Sequence, residues 1–392
     1  MTSRVSLLSS TAIAAAALVF AGAPSSAASL DALEKRVKAL EKSGAGKSVS
    51  RAKSTMKFKI SGQINRAVQI ADNGLNTEVR HVTNTNSQNK LRFSGTGKLS
   101  DDLKIQAYAE LGNNDSGSSS QSVSDADVGN NTGFATTRFM ELRITSKSMG
   151  KLYLGHGSDA QDGVVGAGNL SGLGVAMSGG MDEDLQFADE DFVTSAGAAV
   201  GRVDAFNNEF DGTRQDRIRY DTPSFGGFKV AVSHANNDRV SYSLRYGGNF
   251  NGMKVKGAIG KTDQDAGADG SGNDETAASI GVLLPMGLNV QYAYGERSRA
   301  GRNDPEANYV RVGYRMKNMG MGETRVGVSL HTVDDGAANG DDFQSLNFAV
   351  VQVIEPLGAE LYGSYSNVSL DRTATANIED IDIVTVGLRV NF

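Results

Sequence analysis

The chain of 392 residues contains no cysteine and no tryptophan, and only 5 of its residues are proline. Without cysteine it forms no disulfides. The scarcity of proline suits a continuous hydrogen-bonded sheet, because proline removes a donor from the ladder. Beyond the N-terminus, no apolar run approaches the roughly 20 residues that a membrane-spanning helix needs. Because tryptophan is absent, any aromatic girdle must be built from the 11 Tyr and 15 Phe.

Apolar residues are also few for a chain of this length. Only 39% of residues are hydrophobic, glycine numbers 47, and the mean hydropathy is -0.30. A soluble fold would need a large all-β sandwich or several of them. A barrel in lipid needs fewer apolar residues, since only the outward half of each strand must be apolar. The net charge of -6 gives no argument for nucleic acid binding.

The end of the chain shows the pattern that decides between these folds. From Val384 to Phe392 every second residue is apolar, and most residues between are small, polar or charged. Such alternation predicts a strand with one face in an apolar medium and the other in water. Strands in lipid satisfy every backbone group only when their sheet is closed. We therefore predict an all-β protein, a transmembrane antiparallel β-barrel.

The N-terminus predicts export. Arg4 is followed by an apolar stretch from Thr11 to Ala23 and then by small residues up to Ala28. This stretch is too short for a stable membrane helix and is typical of a secretory signal peptide, here residues 1–28.

Residues 29–43 predict a short amphipathic helix, and residues 44–55 form a polar tether before the barrel at 56–392. Two heptads are too few for a stable isolated helix in water. A coiled coil gathered by several barrels and a helix lying on its own domain both remain open. The apolar positions of the heptads are Leu30, Leu33, Val37 and Leu40.

The barrel region alternates between short and long connections, which predicts about 16 strands with both ends on the short-turn, periplasmic side. In the first strand Arg66 interrupts an outward apolar stripe, which places it at the interface or at a protein contact. The long polar connections are expected near 71–88, 112–133, 156–212, 263–275, 297–306, 333–341 and 369–380.

Three runs resemble hairpins of the general Gram-negative porins: NKLRFSGTGKLSDDLKIQAYAEL, RFMELRITSKSMGKLYLGHGSDA and RQDRIRYDTPSFGGFKVAVSHAN. The terminal VTVGLRVNF resembles the family's last strand, whose final aromatic, here Phe392, is similar to the signal read by the barrel-insertion machinery. The heptads are similar to those of trimeric channels that carry an N-terminal periplasmic coil.

The resemblance implies a 16-stranded homotrimer in the outer membrane of a Gram-negative bacterium, with one water-filled pore per subunit. Its partners would be outer-membrane lipid and lipopolysaccharide, the insertion machinery and small hydrophilic solutes. The third loop, residues 156–212, would fold inward and narrow the pore.

The chemistry of that loop predicts a transverse field across the constriction. Acidic clusters in loops are commonly just solvated, and wall arginines could instead tie the loop down. Arg217 and Arg219 are the arginines most expected to line the lumen. The acidic side is formed by Asp182, Glu183, Asp184, Asp189, Glu190 and Asp191, and the basic wall by Arg92, Arg143, Arg217, Arg219, Arg245 and Arg311.

These features predict a porin for passive diffusion of ions and small hydrophilic solutes, and not an enzyme. The alternatives are a channel that prefers small organic anions, an outer-membrane enzyme barrel, and a structural anchor that holds the envelope through its periplasmic helix. No cofactor and no catalytic set is indicated, and cation or anion preference is left open. Weak calcium binding in one outer loop is considered at Asp263, Asp265, Asp269, Asn273, Asp274 and Glu275.

Overall fold

The computed structural model describes residues 56–113, 136–177, 185–188, 201–207, 210–236, 238–264, 274–373 and 377–392. The predicted signal peptide, N-terminal helix and tether lie outside these residues. Within them, no helix combines the length and the apolar composition needed to span a bilayer.

Long antiparallel strands make up most of the described chain. The strands before the third loop are β1 Lys57–Asp72, β2 Thr77–Thr83, β3 Asn89–Lys98, β4 Leu103–Asn113, β5 Thr136–Ser146 and β6 Gly150–Ser158. Inside that loop lie β7 Gln186–Phe187, β8 Gly201–Arg202 and the one-turn helix α1 Val203–Phe206. The strands after it are β9 Arg214–Asp221, β10 Phe228–Ala235, β11 Arg239–Phe250, β12 Met253–Gln264, β13 Glu275–Leu283, β14 Leu288–Arg297, β15 Glu306–Met319, β16 Gly322–Asp334, β17 Asp341–Ile354, β18 Ala359–Arg372 and β19 Ile381–Asn391.

The sheet closes on itself, as the alternation predicted. β1 pairs with β19 on one side and with β2 and then β3 on the other, while β6 pairs with β9 across the base of the third loop. Because β2 and β3 together form one strand of the wall, the barrel has 16 strands. The amide of Phe392 donates to the carbonyl of Gly62 at 3.0 Å, so the closing seam reaches the last residue.

One predicted connection is wrong. Residues 71–88 were expected to form a long polar loop, but β1 extends to Asp72 and β2 continues the wall at Thr77–Thr83. The chain reverses in the short turn after Asp72, where Gly74 has a φ of 82° and its amide donates to Asp72 Oδ1 at 2.8 Å. A short 3-10 turn at Thr85–Ser87 then separates β2 from β3. The cross-strand pairing available beside β1 outweighs the polar composition of this segment.

On most of the wall, outward apolar side chains alternate along each strand with inward small or polar ones. On β1, Ile64 and Val68 point outward and are 45% and 42% exposed, whereas Gln63 and Asn65 point inward and are buried. Apolar side chains at this exposure, repeated around the outside, are expected of a barrel in lipid.

The parity rule fails at the long-loop end of β15–β19. There many of the inward residues are apolar as well, and they pack with Leu185 and Phe187 of the third loop and Val203 and Phe206 of α1. This cluster is a small soluble-type core inside the barrel. Its wall residues are Ala71, Ala307, Val333, Phe343, Val368, Leu370, Ile381 and Ile383.

Candidate functional site in the barrel lumen

The third loop, residues 159–213, folds into the barrel, and Asp159 joins its two ends. The Asp159 carboxylate accepts hydrogen bonds from the amides of Gln161 at 2.9 Å, Asp162 at 2.8 Å and Thr213 at 3.1 Å. Arg239 lies 3.4 Å from the same carboxylate. Burial raises the pKa of Asp159, although these hydrogen bonds and Arg239 oppose that shift. The loop therefore leaves the wall from a closed and rigid base.

From this base the loop follows the inner faces of β10–β16, which we call the covered wall. Wall hydroxyls bind the loop backbone: Ser233 accepts from the Ala160 amide at 2.8 Å, and Ser243 donates to the Ala160 carbonyl at 2.6 Å. Ser279 donates to the Val164 carbonyl at 2.5 Å and accepts from the Gly168 amide at 3.1 Å. The inward residues of β10–β13 beside the loop are small: Ala231, Ser233, Ser241, Ser243, Ala258, Gly260, Thr262, Ala277, Ser279 and Gly281.

Arginines on the covered wall bind loop carbonyls. Arg245 donates to the carbonyls of Asp162 at 2.9 Å, Gly163 at 3.1 Å and Ala160 at 3.2 Å. Arg311 donates to the Met177 carbonyl at 2.5 Å. Neither guanidinium has a carboxylate within ion-pair distance among the described residues. In the described part of the chain, loop carbonyls and not paired carboxylates therefore contact these two guanidinium groups.

The loop and the wall come closest at two glycines. A Cβ on Gly168 would lie 2.6 Å from the backbone carbon of Ile280, and a Cβ on Gly281 would overlap the Gly168 carbonyl. Both positions therefore require glycine for the loop backbone to rest against β13.

The inner faces of β3–β6 and β9 form the uncovered wall. No hydrogen bond between described residues links the third loop to the inner faces of β3, β4 or β5. Glu110 binds Arg92 at 2.5 Å and Arg138 at 2.8 Å, and Glu141 binds both Arg143 and Arg217. The side chains on this wall are long, and several reach the lumen water.

The charges on the inner wall do not balance. Apart from Glu78 near the long-loop end, the inward carboxylates of the described strands each pair with at least one arginine. They are Glu110, Glu141, Asp221, Glu275, Glu323, Asp341 and Glu360. The inward lysines of the short-turn end have no such partner among the described residues; they are Lys57, Lys59, Lys98, Lys104, Lys151, Lys229, Lys254 and Lys256.

The predicted arginines all point inward, but they differ in environment. Arg92 and Arg143 lie on the uncovered wall, with side chains 30% and 18% exposed. Arg217 is buried and binds Glu141 and the carbonyls of Ser158 and Gly155. Arg219 pairs with Asp221 and donates to the Asp159 carbonyl at 2.7 Å. Arg217, Arg219, Arg245 and Arg311 thus hold the loop or its base, which is the alternative that the sequence left open.

The six predicted loop acids, Asp182, Glu183, Asp184, Asp189, Glu190 and Asp191, lie outside the described residues. Of the oxygen ligands considered for calcium, Asp263 and Asp274 pair with Lys261, and Glu275 pairs with Arg239 and Arg297. Asp265, Asp269 and Asn273 are not among the described residues. The described part of the chain holds no group of three or more potential metal ligands.

Several residues of the lumen were missed from the sequence. Lys90, Arg138 and Lys151 line the uncovered wall, and Ser279 and Gly281 seat the loop. Parity could have identified all of these except Arg138, because the others alternate with outward apolar residues on their strands. Arg138 has the parity of the outward residues of β5 and reaches Glu110 only because a β-bulge shifts the register there.

The closed barrel, the inward loop and the charged lumen define a membrane pore. A family model described as Gram-negative porin matches residues 12–373. No curated protein sequence matches the chain. The anion-selective porin from Comamonas acidovorans is 18% identical, with a TM-score of 0.59 over 86% of this chain and 100% of that one.

Two further solved structures share the fold. OmpF of Salmonella typhi, in a complex with daunomycin, is 13% identical, with a TM-score of 0.54 over 86% of this chain and 98% of that one. A trimer form of OmpT, an outer membrane protein of Vibrio cholerae, is 14% identical, with a TM-score of 0.53 over 86% and 99%.

The chain belongs to the Gram-negative porin family. It is an outer-membrane channel of a Gram-negative bacterium for passive diffusion of ions and small hydrophilic solutes. Family and fold both indicate a channel rather than an enzyme.

Proposed function

We propose that this porin prefers anions. The observation that carries the proposal is a charge imbalance on the described inner wall. Its inward carboxylates below the outer mouth pair with arginine, whereas the lysines of the short-turn end, Arg245 and Arg311 have no carboxylate partner among the described residues. A narrow lumen with low-dielectric walls focuses this field and raises the local concentration of anions. The anion-selective porin from Comamonas acidovorans, with the same fold, is consistent with this preference.

The net charge of -6 does not contradict this proposal, because acidic groups concentrate on the outer face near the long loops. In the strand register there, Glu306 lies opposite Asp334, and Asp342 lies opposite Asp371. The pore wall separates these carboxylates from the lumen. These carboxylates therefore do not contribute to the charge of the described inner wall.

We also propose that the six loop acids face the uncovered wall and set up a transverse field with Arg92 and Arg143. Met177 and Leu185, the described residues on either side of Asp182, Glu183 and Asp184, are both buried inside the barrel. The field would orient dipolar solutes and disfavour apolar ones.

The test is the reversal potential of the purified protein in planar bilayers under a potassium chloride gradient. An anion-preferring pore gives a potential of the sign set by chloride, and replacing Arg92 and Arg143 with glutamine moves it toward zero. A potential of the sign set by potassium in the unaltered protein would contradict the proposal.

For assembly, we propose a homotrimer whose periplasmic side carries the helix at 29–43 on the tether at 44–55, after removal of 1–28. A trimer form among the structures of similar fold supports this arrangement. Conductance steps in groups of three and a cross-linked trimer would be expected. Deleting 29–55 tests the coil: loss of trimer stability supports a coiled coil, and an unchanged trimer supports a helix lying on its own subunit.

We further propose that Phe392 is read by the insertion machinery, and that the apolar outer face contacts lipid and lipopolysaccharide. The closing seam places Phe392 at the short-turn end with a side chain 64% exposed. Phe392→Ala should lower the amount of protein inserted in cells while leaving refolding in detergent intact.

A further inference from the structure

We propose that the uncovered wall binds planar aromatic carboxylates in preference to aliphatic carboxylates of equal charge. This inference rests on the proposed anion preference and names the class of solute that the wall selects. It derives from the rings that stand between the cations of this wall.

Three aromatic side chains lie on adjacent strands of the uncovered wall: Tyr108 on β4, Phe139 on β5 and Tyr153 on β6. All three are half-buried, so each keeps part of its surface toward the lumen. The rings of Tyr108 and Phe139 meet edge to face, with centroids 5.8 Å apart. All three rings lie within 6.0 Å of the Arg143 guanidinium carbon, so the wall offers one connected aromatic patch.

A cation stands over each ring. The guanidinium carbon of Arg143 lies 3.7 Å from the centroid of Tyr108, and that of Arg214 lies 5.7 Å from the centroid of Phe139. The ammonium of Lys151 lies 4.5 Å from the centroid of Tyr153. The exposed parts of Arg143 and Arg214 leave guanidinium surface available to a second planar group.

The carboxylate of such a solute also finds partners. The ammonium groups of Lys90 and Lys151 have no carboxylate within ion-pair distance in the described part of the chain. Lys151 lies toward the short-turn end, one strand from Arg143, and Lys90 lies toward the long-loop end. A solute that moves along the wall meets a free ammonium at both ends of the aromatic stretch.

The wall can therefore contact both the ring and the carboxylate of such a solute. The ring stacks on guanidinium and tyrosine surfaces, and the carboxylate pairs with lysine. A saturated ring of similar size and equal charge gains the ionic attraction only. The difference expected from stacking at a partly exposed site is on the order of threefold to tenfold in affinity.

Another ring cluster inside the barrel does not compete for this solute. Tyr309, His331 and Phe343 stack edge to face near the long-loop end, but His331 and Phe343 are buried in the wall. Outward rings such as Phe348 face lipid. Phe348 therefore provides a matched control position for the test.

The experiment measures block of the single-channel chloride current by benzoate and by cyclohexanecarboxylate in planar bilayers. Benzoate should halve the current at a concentration about threefold to tenfold lower. Tyr108→Leu combined with Phe139→Leu leaves only the Tyr153 ring and should bring the two half-blocking concentrations closer together, whereas Tyr108→Phe and Phe348→Leu should keep them as far apart as in the unaltered protein. The Tyr108→Phe variant keeps the test valid if the double variant inserts poorly, because it retains the ring.

Equal half-blocking concentrations in the unaltered protein would overturn the inference. The proposed anion preference would then stand or fall separately on the reversal potential in potassium chloride, which neither carboxylate enters. An undiminished benzoate preference in the double variant would also overturn it, since Tyr108 and Phe139 would then contribute nothing to the selection.

Discussion

The covered and uncovered walls of the same barrel differ above all in the size of their inward side chains. On the covered wall, β10–β13 present alanine, serine, threonine and glycine to the third loop. On the uncovered wall, the matching positions carry arginine, lysine, tyrosine and glutamate. The third loop packs against the covered wall, and water and solutes contact the uncovered wall.

This difference in side-chain size explains on which side of the lumen the open passage lies. A loop backbone can lie flat only against small side chains, and its amides and carbonyls need partners once they leave water. Ser233, Ser243, Ser279 and Arg245 supply those partners. Long charged side chains on the other wall need hydration and exclude the loop, so the open passage lies beside them.

A third region shows the limit of this comparison. At the long-loop end, the inward side chains of β15–β19 are large and apolar, and they bind the loop by burial instead of hydrogen bonds. The loop is therefore held in two ways: its first part by polar contacts to small residues, and its later part by a hydrophobic cluster.

The largest effect is expected from making the covered wall larger. Gly281→Val places a side chain where the Gly168 carbonyl now lies, which costs about 1–3 kcal/mol or moves the loop into the lumen. We expect a clear fall in single-channel conductance. Gly247→Ala is the control, since a Cβ there has no heavy atom within 4 Å. Unchanged conductance in Gly281→Val would show that the loop does not rest on this contact.

The next effect tests the arginines that hold the loop. Arg245→Met leaves the carbonyls of Ala160, Asp162 and Gly163 without these donors, at a cost of about 1–3 kcal/mol. The loosened loop should increase open-channel noise in current recordings. Lys229→Met, on the neighbouring strand, removes an equal charge without a loop contact. If both variants are equally noisy, Arg245 acts through its charge alone.

A smaller effect is expected from the charge balance of the uncovered wall. Glu110→Gln leaves Arg92 and Arg138 without their carboxylate, which makes the wall more positive by one charge. The chloride-to-potassium permeability ratio should rise by up to about fivefold. Asp334→Asn removes a charge from the outer face and should leave the reversal potential unchanged. A shift of equal size in both variants would contradict the separation of the two faces.

The smallest effect belongs to the lysines of the short-turn end. Lys254→Gln with Lys256→Gln should weaken anion preference at 0.1 M salt, where charges act over about 10 Å, and have little effect at 1 M, where they act over about 3 Å. Reversal potentials at both salt concentrations provide the measurement. A loss that persists at 1 M would place these lysines at the narrowest point of the pore.

Most of the wall could be predicted from the sequence, because the alternation in a strand depends only on neighbouring residues and on the media at the two faces. The strand count, the short turns and the terminal strand follow from that alternation. The segment 71–88 could not be predicted, since its pairing with β1 involves residues distant from the polar run that suggested a loop.

The lumen was less predictable. Parity placed Arg92, Arg143, Arg217, Arg219, Arg245 and Arg311 on the inner face, but it could not separate those that meet water from those that bind a carbonyl. That distinction depends on where the third loop crosses the wall. The same holds for Ile381 and Ile383, inward residues of an otherwise regular strand that the loop buries.

By itself, the sequence determined that the chain forms a closed sheet with an apolar outside and a polar inside. Each strand carries that information locally, and no other fold satisfies its backbone in lipid. Only the tertiary structure decided which part of the inner wall is covered and which cations remain available to a solute. Those properties arise from contacts between the third loop and strands distant in sequence, as between Gly172 and Arg325, which are 153 residues apart.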